Sequence, residues 1–327
     1  MHLLKRVSSG RGSEKSKLSY ILSSHIVKDV VAEQLKPGEQ GLKSVRSHQG
    51  VLDVCSYLQH SNVSSLPVFD DNNNCIGVVT FADAVAYLIN QDWRSVSSSK
   101  EGDGVWSHLG KAPIQEAIPG SINYITTNLS CTLIESIGLF ARHRVRRLLV
   151  VNESGTVVAV LSPSAIVKFV IQKQIKSGIS DPLMSMSIKD LDLGSGPVES
   201  VSKNQTLIEA LHLMYETKHS VTAVVDPLSG ELVGSISSSD IKEVFETKQL
   251  SILVHTCWKH IIQERAKSDS EVFPYFGVQE GNKLEIVISK LLVTHVHHLY
   301  VVDDHARPVR VLSFTDICTL FYENCRT

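Results

Sequence analysis

One phrase is written four times in this chain, and any fold has to accommodate it. It is an apolar strand, a small turn, a second apolar strand, and then Ser/Thr-x-x-Asp opening a helix. The copies begin at Ser65, Arg147, Val221 and His298. The hydroxyl residues that open the helices are Thr80, Ser162, Ser237 and Ser313, which lie 82, 75 and 76 residues apart. A period that long marks a copied supersecondary unit whose copies pack on one another. Three copies carry the acid of the phrase, as Asp83, Asp240 and Asp316; the second holds Ala165 instead.

Each unit reads β-α-β-β-α, which predicts an α/β (α+β) fold of small sheets with helices on one side. In the third copy Val198–Lys203 reads as a strand. Leu207, Leu211 and Met214 follow at helical spacing, then two β-branched strands and a closing helix with Ile241, Val244 and Phe245 inward. A unit this small buries too little surface to be comfortable alone. Repeats one and two, and repeats three and four, are therefore expected to pair through their open sheet faces. The expected division is a flexible basic tail over 1–17, repeat one over 18–92, a Ser/Gly-rich linker over 93–113, repeat two over 114–175, repeat three over 176–248 and repeat four over 249–327. Leu18–Val31 reads as an opening helix before repeat one. Lys176–Leu183 and the less patterned stretch Gln249–Asp269 read as connectors.

Composition excludes several functions. A formal net charge of −2 gives no global basic field for nucleic acid or anionic membrane. The six cysteines form no C-x-x-C pair, so reduced intracellular thiols are expected rather than a disulfide scaffold or a thiolate zinc site. No apolar run approaches the roughly 20 residues of a membrane helix. The first residues lack the apolar stretch of a secretory signal. Neither a phosphate-binding G-x-x-x-x-G-K-[ST] loop nor a G-x-S-x-G elbow is present, and nothing supports an enzyme. The run Arg142–Arg147 ends a helix and enters a strand, which suits a local anion site. His295, His297 and His298 suggest phosphate contact or surface exposure over metal, since no third ligand is placed. Asp70–Asn74 reads as a turn.

Singly, Ser/Thr-x-x-Asp is a capping box, in which the hydroxyl caps the first turn and the acid three residues on answers it. Its repetition after a strand points further. A strand feeding a helix N-terminus exposes amides and a positive dipole end that favour a phosphate. A hydroxyl there can bond to sugar or phosphate, and a carboxylate one turn in can accept two hydrogen bonds from a ribose diol. Repeat two keeps a sound helix start at Ser162 with Pro163 behind it, yet Ala165 removes the acceptor.

The four units resemble CBS domains, and their arrangement is similar to that of the gamma subunits of AMP-activated protein kinase, from Leu18 to the C-terminus. The likeness rests on YILSSHIVKDVV, RHRVRRLLVVNESGTVVAVLSPSAIVKFV, MSIKDLDLGSGPVESVSKNQTLIEAL and THVHHLYVVDDHARPVRVLSFTDI, and on the acid missing from repeat two alone. The resemblance implies two tandem pairs in a pseudo-symmetric disk that binds AMP, ADP and ATP as regulatory ligands, without cofactor or metal. Asp83, Asp240 and Asp316 would each grip a ribose. Thr80, Ser237 and Ser313 would support ribose or phosphate contacts, and Ser220 matches a nucleotide-contacting serine. Arg146, Arg147, His297 and His298 would reach phosphates at the centre. That family commonly has His-Arg at both basic places and a basic residue where Ser64 stands. Histidine near pKa 6.5 is about a quarter protonated at pH 7, so affinity is expected to be weak and to fall from pH 6 to 8. The implied partners are a kinase catalytic alpha subunit and a scaffold beta subunit, with no nucleic acid or membrane, in the cytoplasm and nucleus. The alternatives are a free-standing CBS regulator of another enzyme or channel, and a degenerate scaffold.

Overall fold

The computed structural model describes residues 16–34, 41–90, 103–118, 124–178, 181–266 and 275–326. The expected basic tail falls outside them except for its last two residues. Four three-stranded sheets form: β1 (Val45–Arg46), β2 (Ser65–Phe69) and β3 (Cys75–Thr80); β4 (Ile125–Asn128), β5 (Leu148–Val151) and β6 (Val157–Leu161); β7 (Ser200–Ser202), β8 (Val221–Val225) and β9 (Leu232–Ser237); and β10 (Gly277–Gln279), β11 (His298–Val302) and β12 (Pro308–Ser313). In every sheet the first strand runs parallel to the second across a helical crossover, and the second pairs antiparallel with the third.

Local chemistry repeats with the topology. The crossover helices Leu133–His143 and Leu207–Thr217 open with capping boxes, Thr132 with Glu135 and Thr206 with Glu209. Each crossover is followed by a non-glycine residue in the left-handed region: Asn62, Arg144, Lys218 and His295. Each hairpin turns on one Asx side chain, Asp70, Asn152, Asp226 or Asp303, whose Oδ1 accepts from amides two to four residues on. Asp70–Asn74 is thus a turn.

The sheets of repeats three and four face each other over Ala223, Leu232 and Tyr300. Between repeats one and two, Tyr124 donates to the Cys75 carbonyl at 2.9 Å. Helices pair differently. Leu58 and Leu88 of repeat one share a core with Leu211 and Val244 of repeat three. Phe140 and Phe169 of repeat two share another with Leu291 and Phe321 of repeat four. Every repeat therefore has one partner through its sheet and a different one through its helices, and sequence patterning anticipated only the first.

The lead segments also depart from expectation. The opening helix is two helices, Lys17–Ser24 and Val27–Gln34, and it packs into the core of repeats two and four. The stretch 93–113 contains the helix Asp103–Lys111, which lies on the crossover helix Val51–His60 of repeat one. The stretch after Gln249 holds a 3-10 turn, Leu250–Val254, and the helix Cys257–Ala266. One hydrogen-bond rule governs all four leads. The first amides of the crossover helices, at Val51, Leu133, Leu207 and Leu284, donate to the carbonyls of Ala112, His25, His255 and Met186. Each lead thus docks on the sheet partner of its own repeat, exchanged reciprocally, so the expected boundaries at 113/114 and 248/249 cut the chain where the pairs interlock.

Candidate functional site

The three acids sit one turn into their helices in one geometry. The Thr80 amide and hydroxyl both donate to Asp83 Oδ2 at 2.7 Å. Ser237 does the same to Asp240, both at 2.7 Å. Ser313 does so to Asp316 at 2.7 and 2.6 Å. Capping and ligand binding therefore do not compete, because the cap uses one carboxylate oxygen. In repeat two Ser162 caps the Ala165 amide at 3.2 Å without an acid.

Beyond the cap the environments diverge. Asp83 lines a cavity of about 580 Å³ between the helix Phe81–Asn90 and the end of the repeat-three crossover helix, with Arg146, Tyr87, Tyr215, Lys218 and His219 among its walls. Burial pushes the Asp83 carboxyl above its ordinary range, against the Thr80 hydrogen bonds and the charge of Arg146. Glu116 also faces this space and accepts from the Tyr87 hydroxyl at 3.1 Å.

Asp240 occupies the related position across the helix pair. Its Oδ1 lies 3.1 Å from Nε2 of His260, a ring 1% exposed, and Glu243 Oε2 is 3.5 Å from the other ring nitrogen. Burial works against the Asp240 charge, but the hydrogen bond and charge of His260 outweigh it and hold the carboxyl below its ordinary range. The adjoining cavity, about 510 Å³, is lined by Asp240, Glu243, Glu246, Lys242 and Gln59.

The basic residues meet near these mouths, unequally. Arg146 faces the Asp83 cavity. Arg147 turns to repeat one instead, where Nε donates to Ser65 Oγ at 3.1 Å and Nη2 to Ser64 Oγ, while Nη1 donates to the Arg146 carbonyl at 2.6 Å. Ser64 is thus the acceptor for a neighbouring arginine, which accounts for a small hydroxyl residue there. Burial and the charges of His297 and Arg146 push His298 down to about 4. His297 is lowered by desolvation at the crowded centre and by Arg147 and Lys242, although its ring reaches solvent. His298 is therefore neutral at pH 7 and His297 is shifted the same way, against the quarter protonation expected of an ordinary histidine there. Ser220 accepts from the Ser238 amide through its carbonyl at 2.9 Å. His260 was not anticipated from sequence. Among the described residues no cluster suits a metal ion, all six cysteines are free, and no helix is long and apolar enough to cross a membrane.

These four interlocked β-α-β-β-α units define a class. The CBS domain profile matches residues 27–90, 119–172 and 188–247, more than half of the chain, and the chain belongs to the CBS-domain family. Among curated proteins it is 26% identical to Protein SDS23 of Candida albicans over 298 residues, covering 80% of this chain and 46% of that protein. It is 28% identical to Protein sds23 of Aspergillus clavatus over 289 residues, covering 84% and 55%. The chain thus spans about half the length of these relatives. Among solved structures, Protein MJ1225 of Methanocaldococcus jannaschii, a proposed archaeal homolog of g-AMPK, superposes with a TM-score of 0.71 at 17% identity, over 91% of this chain and all of that one. That likeness is one of fold. The named curated relatives are SDS23 proteins and not kinase gamma subunits.

Proposed function

We propose that this chain is a non-catalytic regulatory module that binds an adenine nucleotide, AMP, ADP or ATP, and passes its occupancy to a partner enzyme in the cytoplasm. The Asp83 cavity carries the reading. Its volume of about 580 Å³ falls within the roughly 300–1,000 Å³ of small-molecule sites. It joins a carboxylate held at a helix mouth, aromatic walls and an arginine within reach of a phosphate. Asp83 takes the ribose diol, Thr80 holds it in place, and Arg146 meets the phosphate. Regulation then requires the nucleotide to bind two states of the module unequally, since only differential affinity moves an equilibrium.

The test is a thermal-shift series with AMP, ADP, ATP, NADH and S-adenosylmethionine. A ligand at tenfold Kd raises stability by about 1.4 kcal/mol. A flat response to every adenine nucleotide would leave only a scaffold.

Two partner assignments follow. The vacancy at Ala165, with acids in the other three repeats, supports a gamma-type subunit beside a kinase alpha and beta subunit. The likeness to SDS23 over most of the chain supports a free-standing regulator. Stoichiometric co-purification with alpha and beta subunits selects the first; their absence from an otherwise intact complex selects the second.

A further inference from the structure

The four leads can be aligned through their hydrogen bonds. The carbonyls of His25, Ala112, Met186 and His255 are equivalent acceptors. Five residues on, the equivalent positions are Val30, Ala117, Leu191 and His260. Because leads are exchanged, Ala117 belongs to the repeat-one mouth and His260 to the repeat-three mouth. Ala117 indeed lines the Asp83 cavity, and His260 lies on Asp240. At these two mouths the same lead position borders the space in front of the partner repeat's acid, and it holds a methyl group at one and an imidazole on the acid at the other.

Resting on the nucleotide reading above, we infer that His260 is an internal stand-in for the ribose of repeat three: Asp83 takes a nucleotide, and Asp240 is a structural acid that does not. Two further observations agree. The oxygen that the cap leaves over on Asp240 already has the His260 ring at hydrogen-bond distance, so a ribose diol would have to displace a buried charge-assisted contact. The walls also differ in sign. Arg146, Lys218 and His219 surround the Asp83 space beside Glu116. Glu243 and Glu246 flank Asp240 with Lys242 alone against them, so a phosphate there meets like charge. Ala117 and His260 thus act as positioning residues that decide which acid is presented.

Calorimetric titration of the full chain with AMP tests this directly. Asp83→Asn should remove one equivalent of bound AMP and Asp240→Asn none. Ala117→His, which places an imidazole over Asp83, should weaken the same equivalent at least tenfold while the circular dichroism spectrum is kept. Because Asp240→Asn threatens folding, the unaltered protein supplies a second readout by photolabelling with 8-azido-AMP and peptide mapping. Label in peptides spanning 81–90 and 207–219 supports the inference. Label in 238–247, or loss of an AMP equivalent in folded Asp240→Asn, overturns it while leaving nucleotide binding intact. An unaltered chain that takes up no AMP overturns the nucleotide reading, and this inference with it.

Discussion

The half built from repeats one and two and the half built from repeats three and four share strand order, helix caps, hairpin turns and lead exchange, yet they present different chemistry at matching places. Asp83 shares its cavity with Ala117 and Arg146; Asp240 is bonded by His260, with His298 near it. Leu149 fills its sheet position as a hydrocarbon, while Tyr300, at the same register, is 1% exposed with a hydroxyl that has no hydrogen-bond partner among the described residues. The comparison teaches that a duplicated scaffold fixes where chemistry can occur, and single side chains docked from elsewhere decide whether it does.

The sharpest way to break the comparison is to neutralise the two acids. Asp240→Asn removes the charge that His260 faces from within the core, and breaking a buried pair of this kind costs about 3 kcal/mol. Asp83→Asn is expected to cost nothing or to stabilise slightly at pH 7, because burial works against the Asp83 charge and the amide carries none. Urea midpoints of both variants decide this, and equal losses would erase the distinction.

A second contrast lies in the basic residues. Arg146→Ala should weaken AMP binding by about 2 kcal/mol, near thirtyfold, as the loss of a charge-assisted phosphate contact. His297→Ala should change it less than threefold, since desolvation and the neighbouring Arg147 and Lys242 disfavour a charge on its ring. Matched losses would mean that the two halves share one phosphate site.

Acid sensitivity should belong to the second half. The folded-state pKa of His298, about 4, lies below the ordinary 6.5, so the unfolded chain binds the proton more readily. Stability is then full above pH 6.5 and declines as pH falls toward 4, by about 3 kcal/mol. His298→Gln should flatten that part of the profile between pH 7 and 5; an unchanged slope would place the acid sensitivity elsewhere. The smallest effect concerns Tyr300→Phe, which removes an unpartnered buried hydroxyl and should stabilise by about 1 kcal/mol. A loss on denaturant titration would mean that the hydroxyl has a partner after all.

Much of this architecture could be read from residue order. The two apolar runs before each Ser/Thr located the hairpins β2–β3, β5–β6, β8–β9 and β11–β12, and the hydroxyl itself located the start of the following helix. Asp83 and Arg146 were candidates on the same grounds. The leads were not legible as leads, because each docks through isolated backbone bridges that impose no side-chain period. His260 was overlooked for that reason. A signal existed nonetheless: in the column Val30, Ala117, Leu191 and His260 one residue is polar, and it faces an acid. The helix pairing of repeat one with three depends on which apolar stripes meet, and short amphipathic helices of similar pattern do not encode that choice locally. The histidine protonation expected at neutral pH failed because desolvation and neighbouring cations are properties of the assembled centre.

The reciprocal exchange of leads sets a timetable for the ribosome. The Leu133 amide, which closes on the His25 carbonyl, is synthesised 108 residues after it. At 5–20 residues per second the first lead waits on the order of 5–20 s for its dock. The second lead meets repeat one, already made, as soon as it emerges. Birth order thus separates two contacts that the finished molecule treats as equals, and the N-terminal helices are the last part of the first pair to find their place.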